Sequence, residues 1–492
     1  MQQSTVVPPV AERALRAVPI RLARSLEENG TLVMVVAAFG VVMLIALRHA
    51  LTIDGWMALV AGREIAQHGL PSHDVLAVWT HGDRWVDQQW LAQLVLYWLS
   101  RAGGVKLALL VHAVLATGAL AATAVLARRL GGSARTTTWV CLPVLAAYYP
   151  EAAVLRPQTF AYPFFVAVLW LLASDARVHS NRVFVTLPIL VIWANLHGSA
   201  LLGAALVALG GLLRLVEAIR GADRVAMAKG LLLSVAAWPC LLASPYAAHL
   251  PAYYQKVLQG GNFSHFVTEW AATTLTPATA PVYLLIFSGL WLLGRSGKRL
   301  STFEKLAFLA TSVLALQAVR NTAWLGLTAL AVLPTLADSL RRPVLEPRGL
   351  NRRAATVVLA GVVVALGGVA AKPQSWFASD FPSRAGDAAA AAAGAHGQVF
   401  ATSRYADWLL WTEPQLLGRV AFDARYELLT AEQVATLGSI QARAGDWQKA
   451  LSGFRVIVLD RHDDRPLQAA LLETHAVRIA RIDGSVVVLR RR

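Results

Sequence analysis

Apolar runs of membrane-spanning length recur along the chain, near 31–48, 105–127, 135–149, 158–174, 183–195, 199–216, 230–246, 279–294, 304–320, 322–339 and 354–371. A helix needs about 20 mainly apolar residues to cross a bilayer, so the pattern predicts about eleven spans. The interval between the first two runs departs from it. Asp54 to Trp98 gathers Asp54, Asp74, Asp83 and Asp87 among Trp56, Trp79, Trp85, Trp90 and Trp98, with Gln88 and Gln89 between them. Such a mixture suits the boundary between lipid and water. Gln89 to Arg101 is apolar but short for a span, which predicts a helix lying on the interface. The first long loop, 49–104, is therefore expected to be partly ordered, about fifty residues of it.

After Lys372 the pattern changes. Pro373, Pro382 and an alanine-rich stretch lead into a globular region, and a compact domain of roughly a hundred residues is expected there. Val399–Ala401, Val420–Phe422 and Arg455–Leu459 read as strands, and Tyr405–Trp411 and Ala431–Leu451 as helices. Ala476–Ile482, Asp483-Gly484 and Ser485–Leu489 carry a hairpin signal. The expected fold class is an α-helical polytopic membrane protein over 1–371, with a small extracytoplasmic α/β domain over 372–492.

Composition sharpens the class. With 56% hydrophobic and 15% charged residues over 492 positions, the chain is too apolar for a soluble protein. Its net charge of +16 does not point to nucleic acid, because the basic residues sit in short clusters between apolar runs. With a cytoplasmic N-terminus the clusters all fall on one side: Arg128, Arg129 and Arg135; Arg177 and Arg182; Arg220, Arg224 and Lys229; Lys298, Arg299 and Lys305; and Arg341 to Arg353. That is the positive-inside pattern of a multi-pass membrane protein, with the C-terminal domain outside. It requires a turn at Trp193–Ser199; without one, everything downstream inverts. Arg13, Arg16, Arg21 and Arg24 precede the first run as in a signal peptide, but no small-residue cleavage site follows, so a retained helix is expected. Cys141 and Cys240 lie inside apolar runs and suggest no disulfide framework.

Candidate chemistry gathers at the proposed outer ends of the helices. Asp54 is either a general base beside low-dielectric lipid or a helix-end polar residue. Asp87, with Gln88 and Gln89, suits sugar hydroxyls or a helix cap, whereas Asp74 and Asp83 read as turn residues. Arg156, in Leu155-Arg156-Pro157-Gln158, and Arg320, in Val319-Arg320-Asn321, break the charge bias by lying at outer ends; Arg156 suits a phosphate or a snorkelling helix end, and Arg320 a phosphate or a structural salt bridge. Glu269 before Trp270, near Tyr253, Tyr254 and His265, offers a second carboxylate beside aromatic rings. Trp193 and His197 are four apart and would share a helical face. No His or Cys pair has zinc-ligand spacing, so a metal would need oxygen ligands.

Several motifs in order carry a family resemblance: Asp54-Gly55-Trp56, Gly62-Arg63, Pro71-Ser72-His73-Asp74, Trp85-Val86-Asp87-Gln88-Gln89-Trp90-Leu91, Arg156-Pro157-Gln158, Trp193-Ala194-Asn195-Leu196-His197-Gly198 and Glu269-Trp270. The tail adds Tyr405-Ala406-Asp407-Trp408-Leu409 and Phe422-Asp423-Ala424-Arg425. Together they resemble the GT-C superfamily of polyprenyl-phosphate-dependent glycosyltransferases, through a group of bacterial membrane proteins with little functional assignment. The resemblance implies a catalytic Asp54, with Arg156 and Arg320 on the donor phosphate and Asp87, Gln88, Gln89, Gln158, His197, Glu269 and Trp270 around the substrates. It implies a lipid-linked sugar donor, a glycan, lipid or protein acceptor, and membrane lipids as partners. The resemblance leaves the cofactor open between none and a divalent cation, Mg or Mn, because the family's first-loop acid is the base or helps hold a metal, and no Asp-x-Asp or Glu-x-Asp pair appears in this first loop. The rival expectations are a transporter or flippase of lipid-linked substrate, and a non-catalytic assembly factor.

Overall fold

The structure, a computed structural model, describes residues 9–258, 268–340 and 348–492, with backbone alone at 9–26, 257, 258, 268 and 348–351. His265 and the basic residues of 341–347 lie outside the described residues. The membrane part consists of α1 (Pro9–Ala46), α2 (Ile53–His68), α3 (Trp90–Arg129), α4 (Ala134–Ala152), α5 (Gln158–Asp175), α6 (Thr186–Leu196), α7 (Ala200–Arg220), α8 (Arg224–Leu241), α9 (Leu250–Leu258), α10 (Ala280–Ser296), α11 (Thr302–Gln317), α12 (Thr322–Ala337) and α13 (Arg348–Ala370). Among the described residues six helices are long and apolar enough to cross a membrane, within Glu27–His49, Trp90–Arg129, Ala200–Arg220, Arg224–Leu241, Val319–Leu340 and Arg352–Ala370. The protein is a multi-pass membrane protein, and the other expected spans coincide with α4, α5, α6, α10 and α11.

The helices alternate between two ends. At the basic end, Arg177 meets Glu304 at 2.9 Å, Arg214 meets Asp175 at 3.1 Å, and Ser133 donates to Asp338 at 2.7 Å. The turn on which this alternation depends is present. α6 stops at Leu196, His197 is extended (φ −164°, ψ 143°), and α7 runs back to place Arg214 against α5. Trp193 and His197 therefore do not share a helical face; they meet through Ser199, whose Oγ lies 3.1 Å from Trp193 Nε1 and 2.8 Å from His197 Nδ1.

Two features of the first loop differ from a loosely ordered connection. Ile53–His68 is a helix, pressed so closely on α3 that a Cβ at Gly62 would lie 2.1 Å from the Gln93 carbonyl oxygen. The interfacial helix begins at Trp90 and is continuous with the next span except at a break, where Gly103 (φ −145°, ψ 21°) and Gly104 (φ 70°, ψ 176°) leave helical geometry. Gly104 adopts a conformation that side chains disfavour. Gln374 satisfies the backbone freed there, donating to Gly103 O at 3.0 Å and accepting from Lys106 N at 3.2 Å.

Beyond α13 come α14 (Gln374–Phe377), α15 (Ser383–Ala393), β1 (Val399–Ala401), α16 (Ser403–Thr412), α17 (Ala431–Ala442), α18 (Trp447–Ala450), β2 (Val456–Asp460), α19 (Arg465–Glu473), β3 (Val477–Asp483) and β4 (Val486–Arg491). The sheet order is β1-β2-β4-β3, with β1 and β2 parallel and the other pairs antiparallel. The hairpin turns at Gly484, whose φ is 56°. The single helix expected at Ala431–Leu451 is two, because Arg443 takes a left-handed conformation (φ 54°) after α17.

The first loop belongs to this sheet as much as to the helices. Val420 bridges Val399 on one side and Ala77 on the other, both in parallel. Val78 N donates to Val420 O at 2.8 Å, Trp79 N to Ala421 O at 3.0 Å, and Gly418 N to Leu76 O at 2.9 Å. Trp79 stacks on Phe422, and Gln433 donates to the Trp79 carbonyl. From α2, Arg63 donates to the Leu410 and Trp411 carbonyls at 2.6 and 2.9 Å, capping the C-terminus of α16 with a positive charge.

Candidate functional site

The site is set by one backbone approach. Leu155 N donates to Ala50 O at 2.8 Å, and Gly55 lets the start of α2 come so near that a Cβ there would sit 3.1 Å from Leu155 O. Asp54, in the first turn of α2, thereby faces Arg156, which enters α5 through Pro157. Arg156 Nε lies 3.0 Å from Asp54 Oδ2, and Nη1 lies 3.2 Å from Glu151 Oε2. Nη2 pairs with Glu269. Burial alone would lower the Arg156 pKa, but Asp54, Glu269 and Glu151 together hold it above its ordinary value. Asp54 is the more open partner, its side chain 37% exposed against 12% for Arg156.

Arg320 carries the second positive charge. It sits 4.3 Å over the Trp270 ring, and among the described residues it has no carboxylate within ion-pair distance. His197 is close enough to both arginines to feel them. Burial first, then Arg320 and Arg156, push its imidazole down to about 3, so it is neutral at ordinary pH. Its Nδ1 accepts from Ser199 N at 3.1 Å, which puts the proton on Nε2.

Asp54, Arg156, Gln158, His197, Glu269, Trp270 and Arg320 share one cavity with Asp87, Gln88 and Gln89, with a volume of about 500 Å³. It lies at the end of the bundle that carries the C-terminal domain. Gln88 donates to Ala194 O at 2.9 Å, and Trp90 to Asn195 at 2.8 Å, which fastens the first loop to the end of α6. Met57, Ala58, Leu201, Leu202, Ala205 and Leu314 give the cavity an apolar side between helices.

Several residues in or behind the cavity wall escaped sequence reasoning. Glu151 gave a visible signal, an acid at the end of an apolar helix. Gln93, one turn into α3, looked like an ordinary helix residue. Ala424 to Glu427 come from the C-terminal domain and close the cavity over the membrane helices. Arg425 holds that wall: it pairs with Asp74 and Asp423, and its guanidinium lies 4.2 Å over Trp85. Asp74, expected to organise a turn, does so by accepting from Leu76 N at 2.9 Å and Thr80 at 2.6 Å, and also serves as the buried anion for Arg425.

Asp87 is buried, and burial lifts its carboxyl to about 7, with Arg425, the Gln89 N–H and Gln93 offsetting only part of the effect. Its side chain accepts from Gln93 Nε2 at 2.9 Å.

A divalent cation finds no ready ligand set. Among the described residues no cluster of three His, Cys, Asp or Glu side chains is arranged to hold one, and the three carboxylates nearest the site converge on the Arg156 guanidinium.

No protein-family profile and no curated protein matches the sequence. Solved structures do match the fold. The apo structure of ArnT from Cupriavidus metallidurans aligns at 15% identity over 92% of this chain and 97% of that one, with a TM-score of 0.51. The apo oligosaccharyltransferase of Archaeoglobus fulgidus aligns at 10% identity over 89% of this chain and 71% of that one, with a TM-score of 0.53. AglB from Archaeoglobus fulgidus, in complex with an inhibitory peptide and a dolichol-phosphate, aligns at 9% identity over 94% and 74%, with a TM-score of 0.50. ArnT and AglB are polyprenyl-phosphate-dependent glycosyltransferases of the GT-C superfamily, and this chain has their fold.

Proposed function

We propose that this protein is an inverting glycosyltransferase of the bacterial inner membrane. It moves a sugar from a polyprenyl-phosphate donor to an acceptor hydroxyl at the outer face, with the N-terminus cytoplasmic, the membrane part over 1–371 and the domain over 372–492 outside. The observation that carries the reading is the convergence of Asp54, Arg156 and Arg320 on one cavity at the end of the bundle.

In this reading Asp54, the more open carboxylate, takes the acceptor proton as the hydroxyl oxygen attacks the anomeric carbon. The bond from that carbon to the phosphate oxygen breaks, and the electron pair stays on the phosphate. Arg320, without a carboxylate partner among the described residues, supplies charge to the leaving group. Arg156, ringed by Asp54, Glu151 and Glu269, chiefly orients Asp54 and has less charge left for a phosphate. Neutral His197 offers an Nε2 proton on the same wall. The prenyl chain would leave between α7 and α11, past Leu201, Leu202 and Leu314; each buried CH₂ contributes about 0.8 kcal/mol. No step is assigned to a metal ion, since the nearby carboxylates are committed to Arg156.

Asp54→Asn tests the reading. It should abolish transfer from polyprenyl-phosphate-linked sugars while the protein still folds and inserts. Transfer at the wild-type rate would refute Asp54 as the base.

A further inference from the structure

The cavity has two poles with different chemistry. At one, Arg156 ties Asp54, Glu151 and Glu269 into an ion-pair ring, with Arg320 beside it. At the other, Asp87 meets Gln93, and its charged neighbours are Arg425 and Glu427 rather than Arg156 or Arg320. Arg425 meets Asp74 and Asp423 through Nη2 and Nε, and its buried Nη1 has no hydrogen-bond partner among the described residues. Here two oxygens, Asp87 Oδ2 and Gln93 Oε1, are buried without a hydrogen-bond partner among the described residues, on side chains that line the cavity. A buried acceptor left unpaired is costly.

With Asp87 ionised the two orphan oxygens accept, while Arg425 Nη1 and a protonated Asp87 donate, so whatever satisfies this pole brings both hydrogen-bond donors and acceptors. An ionised phosphate brings acceptors and negative charge but no donor for the two oxygens, and an ionised Asp87 repels it. A prenyl chain brings neither donor nor acceptor. A polyol ring brings several hydroxyl donors. Gln158, in the wall of the same cavity, is 2% exposed and unpartnered at both side-chain atoms, so it can donate to one ring oxygen and accept from another hydroxyl.

We propose that Asp87 and Gln93 form a sugar-hydroxyl subsite, separate from the arginine pole that takes the phosphate, and that this subsite recognises the ring carried by the lipid donor. The proposal rests on the glycosyl-transfer reading above. The first loop and the C-terminal wall together build it: Gln93 is set by the contact of α2 with α3, and Asp87 is held between that helix and the Arg425 wall.

The test measures binding by full-length protein in lipid nanodiscs. The probes are bare undecaprenyl phosphate and undecaprenyl phosphate carrying glucose, galactose or N-acetylglucosamine. Wild type should bind at least one glycosylated carrier more tightly than the bare one. Gln93→Met keeps the volume and removes the acceptor; it should weaken the preferred glycosylated carrier by about tenfold, the cost of one buried hydrogen bond, and leave the bare carrier unchanged. Asp87→Asn, nearly isosteric, should reduce the same preference, and its thermal midpoint shows that the fold is intact. Equal weakening of both carriers, or no weakening of either, would overturn the subsite while leaving the arginine pole and the transfer reading intact. A wild type that binds bare and glycosylated carriers equally would also overturn it. Failure of wild type to bind any carrier would remove the transfer reading and the subsite with it.

Discussion

Gly62→Ala is the smallest change that should disturb the site without touching it. The new Cβ would stand 2.1 Å from the Gln93 carbonyl oxygen, 2.7 Å from its carbon and 2.8 Å from Tyr97 Cβ. Ordinary contact is about 3.5 Å, so α2 and α3 must part by roughly 1.4 Å at this point. Two of the three clashing atoms are backbone, and no rotamer change relieves them. Overpacking of this kind costs about 1–3 kcal/mol, and alanine's better helix propensity returns about 1 kcal/mol, leaving a net loss of roughly 0–2 kcal/mol. Gly118, on the same α3, has nothing within 4 Å of an added Cβ and is the control. Gly118→Ala should gain up to about 1 kcal/mol of helix propensity. The two variants should therefore differ in thermal midpoint in opposite directions when unfolded side by side in detergent. The functional effect should exceed the stability effect, because Asp54 and Gln93 ride on the two helices being forced apart. A misplacement of about 1 Å can cost around a hundredfold in rate. If Gly62→Ala matched Gly118→Ala in both stability and transfer, the close crossing of α2 and α3 would be wrong, and with it the account of how the cavity is positioned.

Further predictions concern the wall and the buried acid. Arg425→Met keeps much of the side chain's bulk but strands the Asp74 and Asp423 carboxylates; the loss should be about 3–5 kcal/mol, read as a lower thermal midpoint and faster proteolysis of the first loop. Asp87 gives a pH dependence of known sign. Its folded pKa of about 7 lies above the ordinary value of 3.8, so its contribution to stability is fullest below about 4 and is lost as pH rises through about 7. Asp87→Asn should flatten that part of a midpoint-against-pH profile between pH 5 and 8, and an unchanged slope would count against the burial of this carboxyl. Arg63→Leu should loosen the end of α16 and lower the midpoint by the loss of two charged hydrogen bonds to carbonyls, without changing the affinity for bare undecaprenyl phosphate.

Different parts of the molecule were legible in the sequence for different reasons. The strands of the C-terminal domain are short β-branched runs, and Asp483-Gly484 carries the positive φ of its hairpin, so local chemistry suffices. The basic clusters fixed the alternation of helices, and it passes through the Trp193–Ser199 turn. α2 was hidden because it is buried on nearly all sides between membrane helices and the C-terminal domain; its Asp, Trp and Arg side chains resemble interfacial loop composition. Arg156, Asp54 and Glu269 could each be singled out, but not their pairing, since Glu269 lies 113 positions from Arg156. Arg425 and Asp74 are 351 positions apart, and nothing local to either announces the other.

The strand contact between Leu76–Trp79 and Val420–Ala421 also sets an order of assembly. The first partner leaves the ribosome more than 340 residues before the second. At about 5–20 residues per second, the early segment waits roughly 20–70 s for its mate. During that interval the Asp74 carboxylate has no Arg425, and Trp79 has no Phe422 to stack on. The nascent chain therefore inserts its membrane helices with the roof of the cavity unfinished, and the cavity closes only after the last domain has folded onto a strand that was there first.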